Sequence, residues 1–313
     1  MKKFLSLIMA AALCLCTFTA CAKPQTKEEA PTENQAAETN TSKGDINKKA
    51  ILVISFGTSY ADTREKTIGA IENKIKDEFP DYEVRRAFTS QIIIDKLKDR
   101  DNLVIDNVDE ALEKLHNEGF GTVICQPTHV MHGAEYDEMV DSVDDYFNKF
   151  EAVSIGKPLL SAADDYNEVI SAFEKETDIK NKDVAFVLMG HGTHHFANST
   201  YPALDYTFKD MGYNNVFVAT VEGYPAFEQA LKGIKAYGAK KVVLYPFMIV
   251  AGDHATNDMA GDEQDSFKTM FKKEGFEVEP VLKGLGEFSG VQDIFVTRVH
   301  DAIDALNNTD SEK

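Results

Sequence analysis

Residues 184–195 read VAFVLMGHGTHH, and the rest of the chain can be interpreted around them. The apolar run at the start of this stretch is typical of a buried strand, and a glycine turn with three histidines follows it. In open α/β sheets, ligands bind beyond the carboxyl ends of the strands. An imidazole binds metals and also acts as a base near neutral pH. The stretch therefore predicts a strand that ends at a functional turn, with a glycine turn carrying surface histidines as the alternative.

Apolar strands and amphipathic helices alternate along most of the chain, and their order occurs twice. This alternation indicates parallel sheets with helices on both faces. We expect an α/β fold of two similar doubly wound domains, related by internal duplication, with a ligand cleft between them. The predicted domains are residues 49–180 and 181–313.

Alignment of the two halves pairs positions at the ends of equivalent strands. The matched pairs are Phe56 with His191, Ser90 with Glu222, Pro127 with Pro246, Gly133 with Gly252, and Glu135 with His254. Because equivalent strand ends lie side by side, His191, Glu222 and His254 can converge. Two imidazoles and one carboxylate suit a borderline divalent transition metal with coordination positions left open for a substrate. The alternative is that Glu222 and His254 are separate loop residues.

The first 21 residues have the order of a secretory signal. Two lysines precede an apolar run, and small residues then lead to Cys21. The end of this segment, FTAC at residues 18–21, resembles a bacterial lipoprotein box with Phe18 where Leu is usual. We therefore expect lipidation at Cys21 and an extracytoplasmic, membrane-anchored protein, with an ordinary cleaved signal as the alternative. Residues 22–48 are polar and are expected to form a disordered tether.

Composition excludes several classes of function. The chain has 52 acidic against 33 basic residues and a formal net charge of −19, which argues against nucleic acid as a partner. Three of the four cysteines precede residue 22, so the folded body has no disulfide framework and no paired-cysteine metal site. A phosphate-binding glycine loop is also missing from the sequence, so we expect no use of ATP.

Five phrases of the sequence resemble the anaerobic cobalt chelatase family of cobalamin synthesis. They are SFGTS (55–59), RAFTS (86–90), GHG (190–192), VEGYP (221–225) and, most specific, VAGDHATNDM (250–259). The similarity runs from about residue 49 to the last helix. It implies a class II chelatase fold, with a tetrapyrrole bound in the cleft, and insertion of Co²⁺ into sirohydrochlorin.

The resemblance also implies roles for individual residues. It matches His191, Glu222 and His254 to metal-binding residues and Glu135 to a cleft carboxylate, and we expect His191 and Glu135 to take part in catalysis, His191 as the base. The residues expected to bind substrate are Ser55, Thr58, Arg86, Ser90 and Gly192, with Arg86 pairing a substrate carboxylate.

Two other functions fit the same sequence features. An exported chain could bind a metal, haem or another tetrapyrrole for uptake, because cobalamin synthesis is normally cytosolic. Insertion of another metal, such as Fe²⁺ or Ni²⁺, is the second alternative. The sequence leaves open whether the chain forms a homo-oligomer and what His129, His132, His194 and His195 do.

Overall fold

The computed structural model describes residues 43–311, in which parallel strands alternate with helices. The first half contains strands β1 (Asp45–Ser55), β2 (Glu83–Phe88), β3 (Phe120–Pro127) and β4 (Ala152–Ile155), and helices α1 (Ala61–Arg64), α2 (Ala70–Glu78), α3 (Gln91–Asp101), α4 (Val108–Asn117), α5 (Ala134–Asp144) and α6 (Ala163–Lys175). The second half contains strands β5 (Val184–Gly190), β6 (Val216–Thr220), β7 (Lys241–Pro246) and β8 (Glu277–Pro280), and helices α7 (Thr200–Asp210), α8 (Phe227–Tyr237), α9 (Phe267–Lys273) and α10 (Ser289–Ser311). Shorter helical turns are π-helical at Glu65–Gly69 and Ala255–Met259, and 3-10 at Phe147–Lys149, Phe196–Ser199 and Leu285–Glu287.

The two halves contain equivalent four-stranded parallel sheets, with strand orders β2-β1-β3-β4 and β6-β5-β7-β8. The pairing register repeats as well, since Ile54 pairs with Pro127 and Met189 pairs with Pro246 at corresponding positions. The repeated order and register confirm the predicted pair of similar α/β sheets.

Each sheet is buried on both faces, as parallel sheets generally are. Along β1, Leu52 and Ile54 face a core formed with α4 and α5, whereas Ile51 and Val53 face a second core. This second core also contains Leu188 of β5 and side chains of α2, α6, α7 and α10, so it joins the two halves. Helices α8 and α9 pack with the other face of the second sheet.

Helix α10 follows the second half in sequence but packs largely on the first. Its residues Val291, Phe295 and Val299 are buried in the core that joins the halves. Nη2 of Arg298, a residue only 6% exposed, donates to Asp165 of α6 at 2.6 Å. The predicted boundary at residue 181 therefore separates α10 from the half on which it rests. In this position, Val291, Phe295 and Val299 are removed from water by side chains of both halves.

Strand β1 begins at Asp45, inside the segment 22–48 that was predicted to be a tether. Its first four residues are exposed, and its buried part starts at Ala50. The sequence pattern therefore revealed only the buried part of the strand. Cys21 and residues 22–42 of the predicted tether lie outside the described residues. Between residues 43 and 311, no helix has both the length and the hydrophobicity needed to cross a bilayer.

Candidate active site

The loops that follow β5, β6 and β7 meet at the carboxyl edge of the second sheet. Gly190 pairs with Thr220, so β5 and β6 end level with each other. The backbone N–H of Glu222 donates to the carbonyl oxygen of His191 at 2.9 Å. The ring of His254, after β7, lies 4.6 Å from the ring of His191, centroid to centroid. Two predicted metal ligands are thus in contact, and the third lies on the adjoining loop.

The backbone of the first half repeats this arrangement with different side chains. The N–H of Ser90 donates to the carbonyl oxygen of Phe56 at 3.3 Å, as Glu222 does to His191. The residues that follow Phe56 and His191 are both glycines in the left-handed region, with φ of 99° and 84°. The structure therefore supports the alignment of Phe56 with His191 and of Ser90 with Glu222. Equivalent backbones carry an apolar ring in one half and an imidazole in the other.

Each imidazole of the pair has its Nδ1 atom held by a neighbouring oxygen. His191 Nδ1 lies 2.7 Å from the carbonyl oxygen of Gly192, which can only accept, so this nitrogen carries the proton. His254 Nδ1 lies 2.7 Å from Oδ2 of Asp258. In the neutral rings the lone pair is therefore on Nε2. An oxygen that fixes the ring and its tautomer in this way is typical of metal-binding histidines.

The side chain of Glu222 does not join the histidine pair in this structure. Glu222 is exposed, and its backbone N–H, not its side chain, contacts the loop of His191. Within residues 43–311, no three His, Cys, Asp or Glu side chains form a group that could hold a metal ion. The structure brings His191 and His254 together, and the three-ligand site remains a prediction.

The turn that carries His191 rests on a buried tyrosine. The N–H of Gly192 donates to Oη of Tyr201 at 3.3 Å. Gly190 makes room for this ring, since a Cβ atom there would lie 2.1 Å from the ring of Tyr201. Burial raises the pKa of Tyr201 to about 12, so the hydroxyl stays protonated at neutral pH. The turn is therefore supported from beneath by a neutral side chain.

Glu135, in the first half of the chain, interacts electrostatically with Tyr201 and His129. It lies in the first turn of α5 and is exposed. Its charge adds to the rise in the pKa of Tyr201. Burial lowers the pKa of His129 to about 4, and the charge of Glu135 opposes that change. Both ring nitrogens of His129 are buried without a hydrogen-bond partner. Glu135 thus lies within electrostatic reach of the turn that carries His191 and of a neutral, buried imidazole.

The other histidines near the cleft have distinct surroundings. His132 packs edge to face on Tyr136, with ring centroids 4.4 Å apart, and burial lowers the pKa of its imidazole. His194 is exposed. Nε2 of His195 lies 3.4 Å from Oδ2 of Asp137 on α5, so this pair links the two halves.

The hydroxyls predicted to bind substrate in the first half are engaged within the protein. Ser55 Oγ lies 2.7 Å from Oγ1 of Thr128, and both residues are buried. Thr58 is also buried, and its Oγ1 accepts from the N–H of Tyr60 at 3.2 Å. Ser90 is half-buried at the start of α3. The hydroxyls of Ser55 and Thr58 therefore hold neighbouring loops in place.

Arg86, which was expected to pair a substrate carboxylate, is paired with a carboxylate of the protein in this structure. It is in the middle of β2, and its Nε donates to Oε1 of Glu72 on α2 at 2.7 Å while a second nitrogen pairs with the other oxygen. This bidentate pair already satisfies the guanidinium group. The pair forms because α2 packs beside β2, and the role of Arg86 toward substrate stays a prediction. Another arginine, Arg64, contacts the turn after β1, where its Nη1 donates to the carbonyl oxygen of Thr58 at 3.1 Å.

The loop that carries His254 is also held by the first half. Tyr60 Oη donates to Oδ1 of Asp253 at 3.1 Å, and Thr63 Oγ1 donates to the carbonyl oxygen of Ala251 at 3.5 Å. Hydrogen bonds between the two halves therefore hold the loop immediately before His254.

Comparison with known proteins places the chain in a family. The family model described as cobalt chelatase (CbiK) matches residues 49–304. The chain belongs to the cobalt chelatase family. The resemblance inferred from five phrases of the sequence is therefore confirmed.

Two relatives of this chelatase are similar over nearly their whole length. The present chain is 40% identical over 256 residues to the sirohydrochlorin cobaltochelatase of Salmonella typhimurium, and the match covers 82% of this chain and 97% of that protein. It is 33% identical over 266 residues to the sirohydrochlorin cobaltochelatase CbiKC of Nitratidesulfovibrio vulgaris, covering 84% and 93% respectively.

Solved structures share the fold of the chelatase at low identity. SirB from Bacillus subtilis with Fe³⁺ is 14% identical, with a TM-score of 0.57 over 84% of this chain and 98% of that one. The sirohydrochlorin chelatase SirB from Bacillus subtilis subspecies spizizenii, in complex with cobalt, is also 14% identical with a TM-score of 0.57, over 83% and 97%. These similarities support the two-sheet α/β architecture.

Sequence reasoning missed three residues that shape the candidate site, namely Asp258, Tyr201 and Asn198, whose Oδ1 accepts from the N–H of Thr193 in the His191 loop. Asp258 follows His254 by four residues, which places both on one face of a helical turn, so its spacing was a usable signal. Tyr201 and Asn198 reach the turn only after the chain has formed a 3-10 turn, and no spacing rule reveals such contacts.

Proposed function

We propose that this chelatase inserts Co²⁺ into sirohydrochlorin. The observation that carries the proposal is the pair of imidazoles at adjoining strand ends, His191 and His254, each held through Nδ1 so that Nε2 can bind a metal. Membership of the cobalt chelatase family and the names of the two relatives support cobalt and sirohydrochlorin as the substrates.

The proposed reaction exchanges the metal for two pyrrole N–H protons. His191 and His254 bind Co²⁺ through Nε2, and Glu222 reduces the cost of bringing a dication into the cleft. A nitrogen lone pair holds either a metal or a proton, so His191 becomes a base only after the metal has left it for the unprotonated ring nitrogens of the tetrapyrrole. Its Nε2 then accepts one proton. Glu135, whose charge acts on Tyr201 beneath this turn, accepts the second.

Exposed rings at the same edge of the sheets suit a flat macrocycle. Phe56, which is 48% exposed, occupies the position in the first half that aligns with His191. Tyr224, which is 56% exposed, lies on the loop that carries Glu222. Such rings bury a large apolar area when they stack on another π-system. They offer binding energy that does not depend on charge, which matters for a polyanionic substrate and an acidic protein.

The proposal is tested by turnover of the full chain in detergent with sirohydrochlorin and Co²⁺, followed by absorbance without ATP. We expect many equivalents of product per protein, with a rate above that of spontaneous insertion. His300→Gln, on α10, serves as the control variant and should match the unaltered chain. Fe²⁺ and Ni²⁺ in place of Co²⁺ measure metal preference. Conversion that stops at one equivalent, with the tetrapyrrole retained, would identify a binding protein instead of an enzyme.

We also propose that the chain is anchored to a membrane outside the cytoplasm through a lipid on Cys21. The signal-like segment before this cysteine and the polar segment after it support the proposal. Cys21→Ala is expected to move the protein from the membrane fraction to the soluble fraction while Cys125→Ala leaves it in place. Fractionation with detection of the attached lipid checks this, and a soluble, unlipidated parent chain would contradict it.

A further inference from the structure

Asn198 is the side chain that connects the two loops carrying His191 and Glu222. Its Oδ1 accepts from the N–H of Thr193 at 3.2 Å. Its Nδ2 donates to the carbonyl oxygen of Tyr224 at 2.7 Å. The amide thus bridges the loop after β5 and the loop after β6.

The orientation of this amide follows from its two partners. The backbone of Thr193 offers an N–H, which needs the amide oxygen, and Tyr224 offers a carbonyl oxygen, which needs the amide nitrogen. A flipped amide would place two donors together on one side and two acceptors together on the other. A single orientation of Asn198 therefore satisfies both loops at once.

The surrounding backbone leaves Asn198 little freedom to move. Its own N–H donates to the carbonyl oxygen of His195 at 3.0 Å, at the start of the 3-10 turn. A Cβ atom on Gly223 would lie 2.2 Å from Oδ1 of Asn198, so the bridge requires glycine at that position. In contrast with this rigid bridge, the side chain of Glu222 is exposed and its own position is not fixed by burial.

We propose that Asn198 is a positioning residue, which sets the separation of the Glu222 loop from the His191 turn so that both side chains reach one metal ion. This inference rests on the proposed function, in which His191 and Glu222 bind Co²⁺. Asn198 itself touches no metal in this proposal. It acts on the loop after β6 through its hydrogen bond to the carbonyl oxygen of Tyr224.

The test is a double-mutant cycle on Co²⁺ binding to the full chain, measured by calorimetry with the metal alone. Residues that support metal ligands typically change metal affinity by about 10–100-fold. We expect Asn198→Ala to weaken Co²⁺ binding by about tenfold and to change the visible spectrum of the bound Co²⁺. In a Glu222→Ala background, the same substitution should change the affinity by less than about twofold, because its target is already missing.

Asn181→Ala is the matched control. Asn181 also uses its Oδ1 to accept a backbone N–H, that of Asp183 at 3.1 Å, but it precedes β5 at the opposite end of the strand. Its replacement should leave the affinity for Co²⁺ and the spectrum unchanged. Thermal unfolding of all variants confirms that affinity is compared between folded proteins.

The outcomes separate this inference from the proposed function. If Glu222→Ala weakens Co²⁺ binding but Asn198→Ala does not, or if the two effects are additive, the proposed role of Asn198 is wrong. The proposed metal site is retained in that case. If Glu222→Ala leaves the affinity unchanged, the three-ligand site is wrong and the inference is rejected with it.

Discussion

Replacement of His191 by Ala is expected to lower the rate of cobalt insertion by at least about a hundredfold, because outer partners of metal ligands alone account for 10–100-fold. The substitution removes a nitrogen that is proposed to bind Co²⁺ and then to accept a pyrrole proton. Loss of the second role should also change the dependence of kcat on pH, whereas His254→Ala should weaken metal binding without that change. Initial rates between pH 5 and pH 9 with saturating Co²⁺ check the pH dependence, and calorimetry with Co²⁺ alone checks the affinity.

The pair should also behave as a unit. The rings of His191 and His254 are in contact, so the double variant is expected to lose little more activity than either single variant. His300→Gln on α10 provides the control, since that ring packs on Phe79 and its Nε2 lies 3.2 Å from Glu78. Near-normal insertion by both His191→Ala and His254→Ala would exclude this site, whatever the family of the chain.

The architecture could be predicted because it depends on local signals. Apolar runs between helices with one apolar face specify parallel strands that are buried on both sides. The internal duplication could be read from short matches such as Pro127 with Pro246, which occupy equivalent positions in the two sheets. Strand ends then predicted where His191 and His254 would meet.

Other features depend on contacts between distant segments, so local patterns did not reveal them. The pairing of Arg86 with Glu72 depends on how α2 packs beside β2, which the motif around Arg86 does not encode. The position of α10 depends on its packing against α2 and α6, which are distant from it in sequence. The exposed side chain of Glu222 shows a further limit, since sequence can place a residue on a loop without fixing the direction of its side chain.

The turn after β5 also requires glycine at its centre, and this predicts a large effect from a very small change. Gly192 has a φ of 84°, and a Cβ atom there would lie 2.5 Å from the backbone nitrogen of Gly223. Gly192→Ala must therefore push the Glu222 loop away from His191. A displacement of about 1 Å at a reacting centre can cost roughly 100-fold in rate, so we expect a loss of about that size in cobalt insertion.

Gly238→Ala separates backbone strain from displacement of the loop. Gly238 ends α8 with a similar φ of 89°, but no atom lies within 4 Å of the position a Cβ would take. A left-handed conformation costs an alanine about 1–2 kcal/mol, so this variant should lose that much stability and keep its activity. Gly192→Ala should lose at least as much stability and also weaken Co²⁺ binding. Denaturant unfolding and calorimetry measure the two quantities separately. Equal activity in the two variants would show that the spacing of the His191 and Glu222 loops does not control metal insertion, because both carry the same backbone strain and only one displaces a loop.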